Sequence, residues 1–315
     1  MTTRRVLRAA IGWLLSAGWV AMPAHAQDLE PKVYAASPTG ANFLVASYSW
    51  SGGDVLFDPT SVITDVHADV QALAVGAGHS FGVFGKLARA SVTIPASWAD
   101  VTGRVGEQSG QVSRNGFADT RLKFSINLRG NPAVLPREFA KQPRRTIVGV
   151  SLLASAPSGQ YANTQLINIG NNRWAFKPEV GLAWPKGRWD VDAYVGVWLF
   201  TSNAAYYPGG SIRTQNPMTA IQGHASYTLR PRLWLAADGT WYHGGLSAVD
   251  ELESSLPLNN SRLGVTLSMP VGDRYSLKAS YSSGLVVQKG TNFNTVSIAW
   301  QVLWLSPRFA YGLRP

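Results

Sequence analysis

A chain of 315 residues and 34.0 kDa with 28 Lys and Arg against 18 Asp and Glu has a formal charge of +10, and its 15% charged residues fall well below the roughly 25% usual in soluble domains. Hydrophobic residues make up 45% at a mean hydropathy of −0.03, which excludes a membrane protein built from several apolar helices of about 20 residues each. Twelve Trp, 11 Tyr and 11 Phe argue against disorder, and the absence of Cys removes disulfides, thiolate nucleophiles and Cys-ligated metals.

The chain opens with Arg4, Arg5 and Arg8, an apolar run from Ala9 to Met22, and Ala24-His25-Ala26. A basic start, a short apolar core and an A-x-A site are the three parts of a secretory signal peptide. The run is too short to span a bilayer as a helix. Cleavage is expected after Ala26, leaving residues 27–315 as one domain.

From about Asn42 to Trp304, apolar and polar residues alternate in segments of roughly ten, the period of strands with two different faces. In Arg121 to Leu128 one face reads Leu, Phe, Ile, Leu and the other Arg, Lys, Ser, Asn. In Trp189 to Leu199 the apolar face is Trp, Val, Ala, Val, Val, Leu, while Asp190 and Asp192 begin the other. Segments centred near residues 46, 72, 91, 122, 150, 179, 194, 223, 238, 265, 280 and 299 predict an all-β fold of roughly 12 strands. Short connectors (Pro185 to Arg188, Arg230 to Arg232, Pro270 to Arg274) alternate with longer ones (Ser202 to Asn216, Gly245 to Leu258). That rhythm separates a transmembrane antiparallel β-barrel, with short periplasmic turns and longer extracellular loops, from a soluble sandwich. Trp184, Trp189, Trp234, Tyr275 and Trp304 stand at strand ends, where an interfacial girdle is expected. The last strand, with Val296, Ile298, Trp300, Val302 and Trp304 on one face, resembles the closing strand by which the outer-membrane assembly machinery recognises its clients; the tail Leu305 to Pro315 departs from that resemblance.

Four stretches carry a family resemblance: Arg114 to Arg121 through Gly130-Asn131-Pro132-Ala133, Ser155 to Tyr161, Asn171 to Pro178, and Gln222 to Tyr227. They resemble the MetA-pathway of phenol degradation family, whose members are described as outer-membrane transporters. The family's Gly-x-Gly-Asp turn stands here as Gly116-Phe117-Ala118-Asp119, with Ala in the second Gly position. The resemblance implies a barrel in the outer membrane of a Gram-negative bacterium that passes aromatic or other hydrophobic compounds.

With the apolar faces toward lipid, the polar faces are expected to line a lumen with Asp69, Arg89, Arg121, Lys123, Lys177, Glu179, Asp190, Asp192, Asp238, Arg262 and Lys278. Charges of both signs in a confined space predict ion pairs across it. They serve either a selective pore or a plug that fills the barrel. Tyr161 and Trp174, in the long loop after the strand near residue 150, are candidate entrance residues that stack on aromatic solutes.

His67, His79, His224 and His243 lie in separate segments without metal-ligand spacing. Ser226 and His224 share a strand face, but i, i+2 neighbours stand about 7 Å apart and no nucleophile motif accompanies them, so catalytic residues are not expected. No phosphate loop or dinucleotide motif is present, so no cofactor is expected either. The basic balance suits contact with anionic groups of outer-membrane lipids better than with nucleic acid. The expected function is passive passage of small solutes. A closed structural barrel and an outer-membrane lipid hydrolase are the alternatives.

Overall fold

The computed structural model describes residues 29–56, 63–254 and 256–306. The expected signal peptide and the tail beyond Ser306 lie outside the described residues. Seventeen strands are present among them: β1 (Ala41–Leu56), β2 (Ile63–Val83), β3 (Lys86–Val105), β4 (Gln108–Phe117), β5 (Arg121–Arg129), β6 (Ile147–Ser155), β7 (Ala175–Lys186), β8 (Trp189–Phe200), β9 (Asn203–Tyr206), β10 (Ser211–Gln215), β11 (Met218–Arg230), β12 (Leu233–Gly244), β13 (Ser247–Val249), β14 (Leu252–Glu253), β15 (Leu258–Val271), β16 (Tyr275–Val287) and β17 (Gly290–Leu305). One short helix, α1 (Pro136–Phe139), lies between β5 and β6.

Each stave pairs antiparallel with the next, β17 returns to β1, and β2 joins β3, so the sheet closes on itself. Closure leaves the staves that cross the bilayer without an exposed edge, as lipid requires; β4 pairs with β3 alone. The segment near residue 122 is β5, and a further strand, β4, precedes it. β4 lies along Ala96–Val105 of β3 and β5 along Thr93–Ala88, with Ala118 to Thr120 between them. Counting β4 and β5 as one interrupted stave gives twelve, and each expected centre falls inside one of them.

At the end where β17 finishes, the connections are tight: Phe84-Gly85, Gly187-Arg188, Pro231-Arg232 and Gly272 to Arg274. Gly187 and Gly272, at φ +60° and +66°, take a left-handed conformation that costs glycine little. The exception is the connection of residues 130–146, which carries α1. At the other end β9, β10, β13 and β14 form a small sheet of their own over the β8–β11 and β12–β15 connections.

The wall is uneven in height. β2 has 21 residues and β6 only nine, about 70 Å against about 30 Å of strand at roughly 3.3 Å per residue. An apolar band about 25 Å tall needs only the shorter. The excess of β1 to β4 therefore rises past the lipid, and there the polarity inverts. Val55, Val66, Ala68, Val101 and Phe293 form an apolar cluster inside, with Ile167 of the β6–β7 connection packed on it, while the outward His67 meets Asp54 at 3.1 Å and Asp69 at 3.7 Å.

Within the lipid band the outer face is apolar, with Leu122, Phe124, Leu182, Val191, Val195, Leu235 and Val265 all exposed. Trp189 packs edge-on against Tyr227 at 4.9 Å, and Tyr275 against Trp300 at 5.6 Å, as girdle pairs near the tight turns. Val195, mid-strand on β8 and 51% exposed, tests the facing directly. Val195→Arg is expected to cost about 2–4 kcal/mol, read as a lower urea midpoint in lipid vesicles. A neutral outcome would place that face in water.

Candidate functional site

The lumen is built from alternate residues of the staves. Burial along β7 and β8 marks Lys177, Glu179, Asp192 and Tyr194 as inward and their neighbours as outward. On the same reasoning Arg89, Arg121, Lys123, Asp190, Asp238, Arg262 and Lys278 face the interior. Asp69 does not. It lies on the outward face of β2 in step with Leu73 and Val75, in the part of the wall that stands clear of lipid, where an outward carboxylate meets water and costs nothing.

The inward charges converge on a feature that alternation does not reveal: residues 29–40, preceding β1, enter the barrel as a strap. Tyr34 is fully buried at its centre. Its hydroxyl donates to Ser151 Oγ at 3.0 Å and Glu179 Oε1 at 3.2 Å, and its ring packs edge-on against Tyr194 at 5.3 Å. Glycines at two inward positions make room for it. A Cβ on Gly149 would fall 2.3 Å from the Tyr34 ring, and one on Gly181 2.0 Å from it. The Lys32 amide donates to Asp192 at 3.2 Å and the Val33 amide to the Tyr194 hydroxyl at 3.1 Å. The Lys32 ammonium pairs with Asp190, which also pairs with Arg144 of the β5–β6 connection, and lies 5.3 Å over the Trp234 ring. Trp234 is therefore not a girdle residue but a cover for the strap's charge. From the far side, Arg89 donates to the carbonyls of Val33, at 2.7 Å, and Ala35, and Asn127 donates to that of Tyr34.

Further charges neutralise one another. Lys177 pairs with Glu179 at 3.1 Å with both side chains almost wholly buried, and lies 5.4 Å over Trp198. His224 Nδ1 meets Asp238 Oδ1 at 2.8 Å, and Thr266 donates to the other oxygen of Asp238 at 2.6 Å. Arg262 donates to Phe293 O at 2.7 Å and to Ser282 at 3.3 Å. A buried charge is tolerated only with such partners. Ser226 faces the same interior, but its Oγ has no hydrogen-bond partner, nor does His224 Nε2, so no hydrogen bond joins the two.

The lumen has two unlike halves. Opposite the strap, β1, β2, β16 and β17 present small inward residues, Ala72, Ala74 and Gly76 among them, with the hydroxyl pairs Ser51–Thr295 at 2.8 Å and Ser280–Ser297 at 2.6 Å.

At the outer mouth, the β6–β7 connection is drawn over the barrel by Asp119, which follows β4. Its carboxylate accepts from the Gly159 amide at 3.0 Å, the Asn171 amide at 3.0 Å and the Asn171 side chain at 2.9 Å. Tyr161 is tied into this connection, donating to Ala205 O at 3.0 Å and accepting from Asn203 at 2.9 Å. Trp174 lies stacked on the outward Phe176 at 5.8 Å, on the outside of the rim rather than at an entrance. Asp119, Arg173 and Tyr34 were not singled out by strand pattern, because their roles depend on contacts between distant segments.

A family model described as the MetA-pathway of phenol degradation matches residues 39–302. The chain belongs to that family. The match takes in eleven staves, the Asp119 turn and β17 as far as Val302. Among solved structures, the COG4313 outer membrane channel from Pseudomonas putida F1 superposes with a TM-score of 0.75 at 19% identity, over 88% of this chain and all of that one. The β-domain of the Bordetella autotransporter BrkA does so at 0.50 and 12%, over 84% and 100%. Both share the barrel fold. No curated protein sequence matches the chain.

Proposed function

We propose that this family member is an outer-membrane channel for passive passage of small hydrophobic or aromatic compounds, with its aperture set by the N-terminal strap. The observation that carries this reading is the division of the lumen: a strap anchored on β3 and β5 to β8 fills one side and leaves the other lined mainly by small Ser, Ala and Gly residues, with Lys278 among them. A barrel serving only as a structural element would have no need of one half so small-lined. The family description, and the channel named for the Pseudomonas structure, support the same reading. Export through a cleaved signal peptide ending at Ala26 completes it, as does recognition of β17 by the assembly machinery. No hydrolytic step is assigned, since Ser226 lacks an activating partner.

The test is single-channel recording of the refolded mature protein in a planar bilayer, with circular dichroism on the same sample. Discrete conductance steps are expected; silence from a folded barrel would overturn the reading. Lys123 and Lys278 face the lumen and have no ion pair among the described residues, so they leave uncompensated positive charge along it. Lys123→Glu is expected to shift the reversal potential in a salt gradient toward cations, and the shift is expected to shrink once salt shortens the Debye length to about 3 Å near 1 M. Charge reversal at Arg121 is expected to act in the same direction. An unmoved reversal potential in both variants would show that permeants do not pass these side chains.

A further inference from the structure

The outer connections fold two guanidinium groups into their own interior. Arg173 ends the β6–β7 connection and Arg213 is the middle residue of β10; they are 7% and 6% exposed. The Arg173 guanidinium lies 4.5 Å over the Phe200 ring and that of Arg213 5.5 Å over Tyr206. Arg173 Nη2 donates to Gln215 Oε1. Its Nη1, the Arg213 Nε and the Tyr206 hydroxyl are buried with no hydrogen-bond partner, so three unused donors stand in one cluster.

No ion pair with a carboxylate balances either arginine among the described residues. Burial and the nearby Arg213 charge push the Arg173 pKa down to about 9, and burial pushes that of Arg213 down as well. Asp119 is the carboxylate whose charge reaches Arg173, yet its oxygens are taken by Gly159 and Asn171. Unpaired buried charge is strongly destabilising, and buried donors normally find acceptors. A guanidinium presents its N–H groups in a planar fork that fits the two oxygens of a carboxylate.

We propose that Arg173, Arg213 and Tyr206 form a binding site for a small organic carboxylate at the outer mouth of the barrel. The carboxylate oxygens accept from Arg173 Nη1, Arg213 Nε and the Tyr206 hydroxyl, the donors the fold leaves open. As a reception point for permeants the site rests on the channel reading; as an anion site it stands without it.

The test is isothermal titration of the full mature chain in detergent, in chloride-free buffer near pH 7, with benzoate, acetate and neutral phenol as probes. Benzoate is expected to bind saturably and at least about tenfold tighter than phenol, a difference of about 1.4 kcal/mol. Acetate binding as tightly as benzoate would assign recognition to the carboxylate alone, and weaker acetate binding would add a contribution from the aromatic body; either supports the site. Arg213→Gln and Arg173→Gln are each expected to weaken benzoate at least about tenfold and to leave phenol unchanged, with heat-modifiable gel mobility confirming a folded barrel. Absence of saturable benzoate binding to the unmodified chain overturns the site whatever the variants do, as does undiminished affinity in either folded variant. Bilayer recording separates the two readings. A conducting barrel that ignores benzoate overturns this site alone, and a silent barrel that binds benzoate overturns the channel alone.

Discussion

Gly181→Val is expected to raise single-channel conductance about twofold or more. Its Cβ would fall 2.0 Å from one Tyr34 ring carbon and 2.3 Å from another, separations that no side-chain adjustment on β7 relieves. The ring must leave the interior. With it go the bonds to Ser151 and Glu179 and the packing against Tyr194, a loss comparable with truncating a buried aromatic, about 3–5 kcal/mol. Valine itself suits a strand, so the wall should survive. Gly149→Ala, whose Cβ would meet the same ring at 2.3 Å, is expected to act likewise. Conductance unchanged in both, with folded barrels, would show that the strap does not set the aperture.

Asp119→Ala is expected to release the β6–β7 connection. The carboxylate is 5% exposed and accepts three hydrogen bonds from Gly159 and Asn171. Bonds to a charged acceptor contribute about 1.5–3 kcal/mol each. Because the freed donors regain water once the connection lifts, a net loss of about 3 kcal/mol is expected rather than the full sum. The base of the connection keeps the bonds of the Gln160 amide to Phe117 O and of the Thr120 amide to Ser158, but Asn171 loses its anchor, and Gly159 and Gly170 touch backbone to backbone at a spacing that leaves no room for a longer substitute. Limited proteolysis should cut within residues 156–174 at least about tenfold faster while the staves stay protected, because local opening sets the rate. Equal protection of variant and parent would mean that Asp119 is not what holds this connection.

The staves were legible because lipid on one side and polar contacts on the other impose a period of two on every segment, and Leu122-Lys123-Phe124 or Val191-Asp192-Ala193 cannot be read otherwise. The same rule misplaced Asp69. Its premise, lipid outside, fails where β2 outruns the bilayer and an apolar connection packs inside instead. Trp234 was misplaced for a related reason: a Trp beside a tight turn suits a girdle, but its inward register gives it to Lys32. β4 escapes the period because Gln108 to Phe117 carries too few apolar side chains to alternate, and its outward face falls on odd residues whereas that of β5 falls on even ones. The strap has no alternation to read. What specifies it is the pair of absent side chains at Gly149 and Gly181 and the hydroxyl of Tyr34, each some 32 to 147 residues from the others along the chain, a complementarity visible only once the barrel has closed. The burial of Arg173 and Arg213 has no signature in the local sequence, since it depends on β9 and β10 folding over the mouth.

The seam between the first and last staves bears on how such a barrel assembles. All 16 residues of β1 pair with β17, and within the lumen this seam is joined by the neutral contact of Ser51 with Thr295. The ion pairs of the wall lie within a stave or between successive ones, as in Lys177–Glu179 and His224–Asp238. Charge can therefore be neutralised hairpin by hairpin while the sheet is still open, and the closing step joins backbone to backbone without desolvating an ion. The strap reverses that logic. Lys32 reaches Asp190 across 158 residues, so its anchorage waits on a finished cylinder. The segment that precedes the first stave would be the last to find its place.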